Sequence, residues 1–287
     1  MKKFKKFLII GFCILVILFF IRLYIDHNVI KITSYEITSN EIHSVFDGYK
    51  ILQLSDLHNE NFGMQLISKI NNENPDIIVL TGDMVSSNDV NYTKFLDLAK
   101  FLADNYEVYY IKGNHEGDLE LENYEVLEEA LKIYNVKILD NEKIELKKDG
   151  EFINLYGMWC NQRYYSRADA DKNYIIKEET VTKLLGETNK NEYNILLMHT
   201  PAYFDSYEKW GADLVLSGHI HGGLIRLPFV GGVFSPDRKL FPKYCYGRFG
   251  INDSTMIISS GLSRGETGFR LFNRPEIVTI TLKSKFE

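Results

Sequence analysis

The sequence is poor in cysteine and proline and has no excess of basic charge. Three cysteines in 287 residues exclude a disulfide framework, and none of them falls in a CxxC or other metal-ligand spacing. Six prolines, with no Pro-, Gly- or Ser-rich tract and no internal repeat, leave no linker signature between separate domains. A net charge of −6 without a basic stripe removes the electrostatic case for a long nucleic-acid partner. What the chain does have is apolar residues, at 45%. That supports one large domain with a substantial core, or two small ones, and excludes a disordered tail.

Charge is unevenly placed. The first 25 residues carry Lys2, Lys3, Lys5, Lys6 and Arg22 and no acid; removing these five bases from 33 leaves 28 against 39 acids, a balance of −11. Behind the lysines, Phe7 to Ile21 is an unbroken apolar or small run that Leu23, Tyr24 and Ile25 extend. An uncleaved membrane anchor and a cleaved signal both fit this length. Arg22 to Ile30 offers no small-x-small cleavage signature, which favours the anchor. A buried soluble helix would seldom be apolar on every face with its charges gathered at one end. The lysines leave the amino end in the cytoplasm and the acidic body outside. The expected organisation is a basic tip and transmembrane anchor over 1–28, a stalk or first strand over 29–46, and the main domain over 47–287.

Past the anchor, Val29 to Thr38 alternates loosely as a strand or stalk. Lys50–Leu54, Asp76–Leu80, Glu107–Lys112, Phe152–Tyr156, Tyr193–Met198 and Asp213–Leu216 are short apolar runs of the buried-strand kind. Between them run helical stripes: Met64, Ile67, Ile70; Phe95, Leu98, Ala99, Leu102; and Leu121, Tyr124, Leu127, Leu131, Tyr134. Met256–Ser259 and the alternation of Val278, Ile280 and Leu282 with Thr279 and Thr281 predict half-buried strands. The pattern predicts an α/β domain of two packed sheets flanked by helices. Cys160 and Cys245 could form one bridge or remain two thiols.

Five of the seven histidines, His58, His115, His199, His219 and His221, sit at or just past predicted strand ends beside other potential ligands. His27 and His43 stand apart and are read as structural. In order, the blocks are Ser55-Asp56-Leu57-His58, Thr81-Gly82-Asp83, Gly113-Asn114-His115-Glu116, Met198-His199-Thr200 and Gly218-His219-Ile220-His221. In an extended strand end, residues two apart face the same side, so Asp56 and His58 could grip one ion, as could His219 and His221. Glycines 82, 113 and 218 would serve tight turns just before a ligand. Carboxylate, amide oxygen and imidazole together suit Mn, Fe, Zn or Co, and seven candidates exceed one tetrahedral zinc.

These blocks resemble the calcineurin-like metallophosphoesterase superfamily, whose signature is D-x-H, G-D, G-N-H-[DE], H and G-H-x-H. The resemblance spans about residues 47 to 285, and the GHIHGGLIRLP and RPEIVTITL stretches look like its small membrane-associated bacterial branch, of the YaeI and YkuE type. It implies a four-layer α/β/β/α sandwich of two mixed sheets with a dinuclear site at the strand ends. It further implies two divalent ions: one on Asp56, His58 and His221, the other on Asn114, His199 and His219, with Asp83 bridging. His115 would then be free of metal and act on the phosphoryl group or leaving oxygen. Where many relatives have an acid orienting that histidine, this chain has Ser86; Glu116 or Asp89 could substitute. Gly157-Met158-Trp159-Cys160, Ile220 and Leu224 also depart from the branch pattern.

Gly222 to Gly250 is long and aperiodic. It is read either as a surface excursion or as a lid near the membrane, through Arg226, Arg238, Lys239, Lys243 and Arg248 with Phe229, Val230, Phe234, Leu240 and Phe241. Arg264 and Arg270 are further phosphate candidates. The leading expectation is a single-pass, extracytoplasmic phosphodiester or pyrophosphate hydrolase acting on a cell-envelope or lipid-linked ester. The alternatives are a nucleotide phosphodiesterase and a non-catalytic metal-dependent binding module.

Overall fold

A computed structural model describes residues 2–165, 175–223, 225–227, 231–235, 240–265 and 268–285. The chain opens with helix α1 (Lys2–Asn28), followed by β1 (Lys31–Ser39), β2 (Lys50–Leu54), α2 (Gly63–Glu73), β3 (Ile77–Leu80), α3 (Thr93–Asn105) and β4 (Glu107–Tyr110). Next come α4 (Asn114–Gly117), α5 (Leu121–Ile133), β5 (Lys137–Ile138), β6 (Glu142–Lys148), β7 (Glu151–Met158), α6 (Glu178–Leu185), β8 (Asn194–Met198), α7 (Phe204–Trp210) and β9 (Leu214–Ser217). The described remainder holds β10 (Ile225–Leu227), β11 (Gly231–Phe234), β12 (Gly247–Ile251), β13 (Ser254–Ile258) and β14 (Glu276–Ser284).

Two six-stranded mixed sheets form, in the orders β1-β14-β2-β3-β4-β5 and β12-β13-β9-β8-β7-β6; β10 and β11 make a separate hairpin. The period of two in each strand divides the residues between layers. Ile51, Val79, Ile195, Leu197 and Leu216 face the cluster between the sheets. Leu52, Leu54, Ile78 and Leu80 face α2, α3 and α5 through Leu66, Ile70, Phe95, Ala99, Leu127 and Leu131. On the far side Tyr156, Leu196, Met198 and Val215 meet α6 and α7 through Val181, Phe204, Tyr207 and Trp210. The result is the expected α/β/β/α sandwich.

Several local expectations change. On α2 the buried residues are Leu66 and Ile70, whereas Met64 is exposed. Phe62, just before the helix, packs into the same core and selects that face. Leu121, in the first turn of α5, is likewise exposed. Strand β14, paired with parallel β1 over nine residue pairs and with antiparallel β2, is buried on both faces because Val278, Ile280 and Leu282 pack between the sheets and Ile277 packs on the helix side. Thr279 is buried too, donating to Glu73 Oε2 at 3.1 Å, so its alternation with the apolar positions does not mark a solvent face. Cys160 and Cys245 are both buried free thiols, so no bridge joins them; burial pushes Cys160 up to about 12 and Cys245 to about 11.

Helix α1 is long and apolar enough to cross a membrane, and its apolar stretch is wholly exposed. It nevertheless ends in contact with the domain: buried Asp26 receives two hydrogen bonds from Arg22 (2.8 and 2.6 Å) and one from the Phe272 N–H (2.6 Å).

Candidate metal centre

The five blocks all follow the C-terminal ends of parallel strands: β2, β3 and β4 in one sheet, β8 and β9 in the other. Such ends are where open α/β sheets gather ligand-binding groups. Three overlapping sets of donor atoms result: Asp56, His58 and His221; His58, Asp83 and His115; and Asp83, His199 and His219, the atoms of each set lying within 4.8 Å of one another. His219 and His221, two residues apart, enter different sets.

The convergence does not come from strand alternation. Asp56, His58, Asp83, His219 and His221 all have left-handed backbone, with φ of 52°, 47°, 53°, 70° and 52°. Non-glycine residues seldom adopt it, and such strain persists where surrounding structure enforces it, typically at functional sites. Gly82 does need its positive φ of 91°. At Gly218 the requirement is space rather than a turn, since a Cβ there would lie 1.9 Å from Ser55 Oγ and 2.4 Å from Asp56 Oδ2.

Glu116 is the organising group that sequence reasoning undervalued. Its Oε1 accepts the N–H groups of Met84 (2.7 Å) and Val85 (3.1 Å), and its Oε2 those of Asp83 (2.9 Å) and Gly113 (2.8 Å). One buried carboxylate thus ties the loop after β3 to the loop after β4, and its lone pairs are spent on backbone rather than on His115. Asp89 is also turned to backbone, accepting the Ser86 N–H at 2.8 Å. His115 Nδ1 instead accepts the Ser87 N–H at 3.2 Å, which assigns the proton of the neutral ring to Nε2. Ser86 Oγ lies 3.1 Å from His58 Nδ1, so the departure from the family pattern bears on His58.

Burial and charge act unequally on these groups. Burial pushes His58 down to about 3 and His221 well below the usual imidazole range, leaving both neutral with lone pairs to offer. Burial also opposes a charge on His199, but Asp83, with Oδ2 at 3.0 Å from its Nε2, outweighs that and raises it to about 9. Burial raises Asp56 to about 6. For Asp83 burial acts the same way, yet the facing His199 prevails and holds it well below the ordinary carboxylate value.

These residues fit divalent cations. His58 Nε2 and His221 Nε2 face each other at 3.3 Å, and His221 Nε2 is 3.4 Å from Asp56 Oδ1. Asn114 Oδ1 and His221 Nδ1 are buried without a hydrogen-bond partner, and His199 Nε2 faces the Asp83 and Asp56 carboxylates at 3.0 and 4.0 Å. His199 Nδ1 is committed to the Thr81 carbonyl at 2.6 Å, so Nε2 is the atom aimed inward. Buried polar atoms are rarely left unpaired, and the carboxylate, amide and imidazole donors gathered here suit a divalent cation. Behind the ligand loop, Asn273 Nδ2 donates to the carbonyls of His221 (2.6 Å) and Gly223 (2.8 Å) and holds that loop in place, a contact no sequence signal announced.

A sequence model of the calcineurin-like phosphoesterase family matches residues 49–223, more than half of the chain. The chain belongs to that family. As a calcineurin-like phosphoesterase it is 30% identical over 265 residues to an uncharacterized metallophosphoesterase of Campylobacter jejuni, covering 90% of this chain and 66% of that protein. The chain therefore spans just under two thirds of this relative's length. It is 29% identical to the uncharacterized metallophosphoesterase YkuE of Bacillus subtilis, over 91% of this chain and 88% of YkuE. It is 27% identical to phosphodiesterase YaeI of Escherichia coli, over 82% of each. The matched span of this calcineurin-like phosphoesterase contains all seven candidate ligands and His115.

The expected lid is only partly described. Leu224, Phe229, Val230, Asp237, Arg238 and Lys239 lie outside the described residues. Of the remaining bases, Arg226 stacks over the Tyr246 ring at 3.6 Å, Lys243 lies 3.6 Å from Asp205, and Arg248 donates to the Glu36 carbonyl. Arg270 is buried, donating to the carbonyls of Ser260 (2.6 Å) and Arg274 (3.2 Å), so it is not an open phosphate site; Arg264 pairs with Glu60 at 3.7 Å.

Proposed function

We propose that the chain is a membrane-anchored phosphodiester or pyrophosphate hydrolase with two divalent ions, acting outside the cytoplasm on a cell-envelope or lipid-linked phosphate ester. The observation that carries this reading is the pair of buried carboxylates, Asp56 and Asp83, each grouped within 4.8 Å of imidazole nitrogens in overlapping sets, with the buried Asn114 Oδ1 left without a hydrogen-bond partner. Asp56, His58 and His221 would hold one ion, Asn114, His199 and His219 the other, with Asp83 shared. Mn, Fe, Zn and Co all suit this donor set. The ions supply polarisation of the phosphoryl oxygen and a nucleophile at neutral pH when bound.

The chain's own groups do the rest. Glu116 holds the loops bearing Asp83 and Asn114 in fixed register, so the donors need no rearrangement. His115, held by the Ser87 N–H, presents Nε2–H as the donor to a phosphoryl oxygen or to the departing alkoxide. The exposed apolar α1 and the lysines ahead of it support an anchor with its amino end in the cytoplasm.

The test is metal-dependent release of nitrophenol from a bis-ester and a mono-ester by the full chain. Turnover is expected with Mn, strongly reduced in His115→Ala at unchanged metal content. A fully metallated protein with no turnover on either ester overturns the enzymatic reading. Protease digestion of intact spheroplasts tests the orientation: the body is expected to be degraded from outside.

A further inference from the structure

Among the described residues after Ile175, the exposed large apolar side chains are Leu227, Leu240, Phe241, Phe269 and Phe272. They are not scattered. Arg226 donates its N–H to the Leu271 carbonyl at 3.1 Å, placing β10 beside the 269–272 loop. β10 pairs with β11, and the Phe241 N–H reaches the Val233 carbonyl at 3.0 Å. The three short segments thus lie side by side. Asn273, next to Phe272, donates to the carbonyls of His221 and Gly223, which joins them to the loop that carries a candidate ligand.

The same surface is bolted to the end of α1. Asp26 accepts the Phe272 N–H, the Arg22 guanidinium lies 4.7 Å from the Phe272 ring centroid, and His27 Nε2 accepts the Arg270 N–H at 3.3 Å. The Phe269 ring meets His27 edge-on at 6.1 Å. Arg274 donates to the carbonyls of Val29 (2.8 Å) and Ile30 (3.0 Å), and β1 starts at Lys31. No free linker separates the apolar helix from the domain. Whatever solvent α1 occupies, the adjoining face is held against its boundary.

We propose that this face is a bilayer-docking surface: Leu227, Leu240, Phe241, Phe269 and Phe272 sit in the lipid interface, and the metal centre opens at the level of the headgroups. This rests on the reading of α1 as a membrane segment and deepens it, because a helix alone would only tether the domain, whereas the clamp at Asp26 fixes its orientation. Isolated exposed apolar residues are ordinary on a soluble surface; five on adjoining segments clamped to the end of an unburied apolar helix call for an apolar occupant. A substrate whose phosphate lies at the headgroup level would reach the ions without leaving the membrane.

The experiment uses the full chain in vesicles of phosphatidylcholine and phosphatidylglycerol, with and without acyl-chain bromination. Quenching of single introduced tryptophans is read against the unaltered protein. Phe12→Trp, within α1, reports insertion; Phe241→Trp reports docking; Val126→Trp, exposed on α5, is the reference. Expected quenching of Phe241→Trp is at least about twice that of Val126→Trp, since interfacial apolar groups sit within reach of the upper acyl chain. Adding Asp26→Ala to Phe241→Trp is expected to remove the excess while Phe12→Trp stays quenched. If Phe12→Trp is quenched and Phe241→Trp matches Val126→Trp, the face meets water or a second protein copy, and the docking proposal falls while the anchor stands. If Phe12→Trp is itself unquenched, the anchor reading and this proposal fall together.

Discussion

In the group of Asp56, His58 and His221, burial prevails: both imidazoles are neutral and Asp56 is raised to about 6. In the group of Asp83, His199 and His219, the same residue types behave oppositely, with His199 raised to about 9 and Asp83 held low. The difference begins with one contact. His199 Nε2 is 3.0 Å from Asp83 Oδ2, whereas His58 Nε2 is 4.0 Å from that oxygen. The attraction is about a third stronger at 3.0 Å than at 4.0 Å, and the surroundings add to it: Asp56 and the Thr81 carbonyl also favour a charge on His199, whereas His115, His199 and Arg270 oppose one on His58. On the proposed two-ion reading, one half would accept a cation directly and the other would release a proton to receive one.

Asp83→Ala should erase this contrast, because it removes the carboxylate common to both halves. Phosphodiester turnover is expected to fall by about 10³-fold or more, and His199 to become neutral, checked by kinetics and by imidazole NMR titration. The next largest effect is on pH. Metal-free His199 carries its extra proton until about pH 9, so affinity for an ion in its half should rise by about tenfold per pH unit and level off only near that value. In the other half the rise should end near pH 6, where Asp56 ionises. Calorimetry in buffers of different ionisation enthalpy should show one proton released per protein by the second ion at pH 7.5. The sign is opposite for the metal-free fold: His199 is raised above 6.5, so its contact with Asp83 stabilises fully below that value and is lost as pH climbs through about 9.

Asn273→Ala should separate the halves. It frees the carbonyls of His221 and Gly223, and metal affinity of the Asp56 half is expected to drop about thirtyfold with the other unchanged, read by metal titration. Ser86→Ala is the mildest, loosening only the His58 ring. A loss of about tenfold or less in affinity for the same ion is expected.

Much of this was legible in one dimension. The strand runs matched to within two residues, whereas the layer each residue faces, Ile51 between the sheets and Leu52 toward the helices, came from the packing. All the ligand candidates and their order were readable, since each stands at a strand end in a short motif. The helix faces were less so: the stripe through Met64 was displaced because Phe62, outside the helix, chose the buried side. Glu116 was visible as a residue but not as the acceptor of four N–H groups, because three of its partners lie more than 30 positions away.

The sequence by itself determined which donors exist, that they end parallel strands, and that an apolar helix precedes an acidic body, because motif spacing and hydropathy are local properties of the chain. Only the tertiary structure decided how His219 and His221 divide, why Asp56 and His58 converge through left-handed backbone, and which imidazole is charged. It alone also joined Asp26 and His27 to residues 270 and 272, more than 240 positions away. Those outcomes depend on which distant atoms are brought within a few ångströms and how much water is excluded around them, and packing sets both.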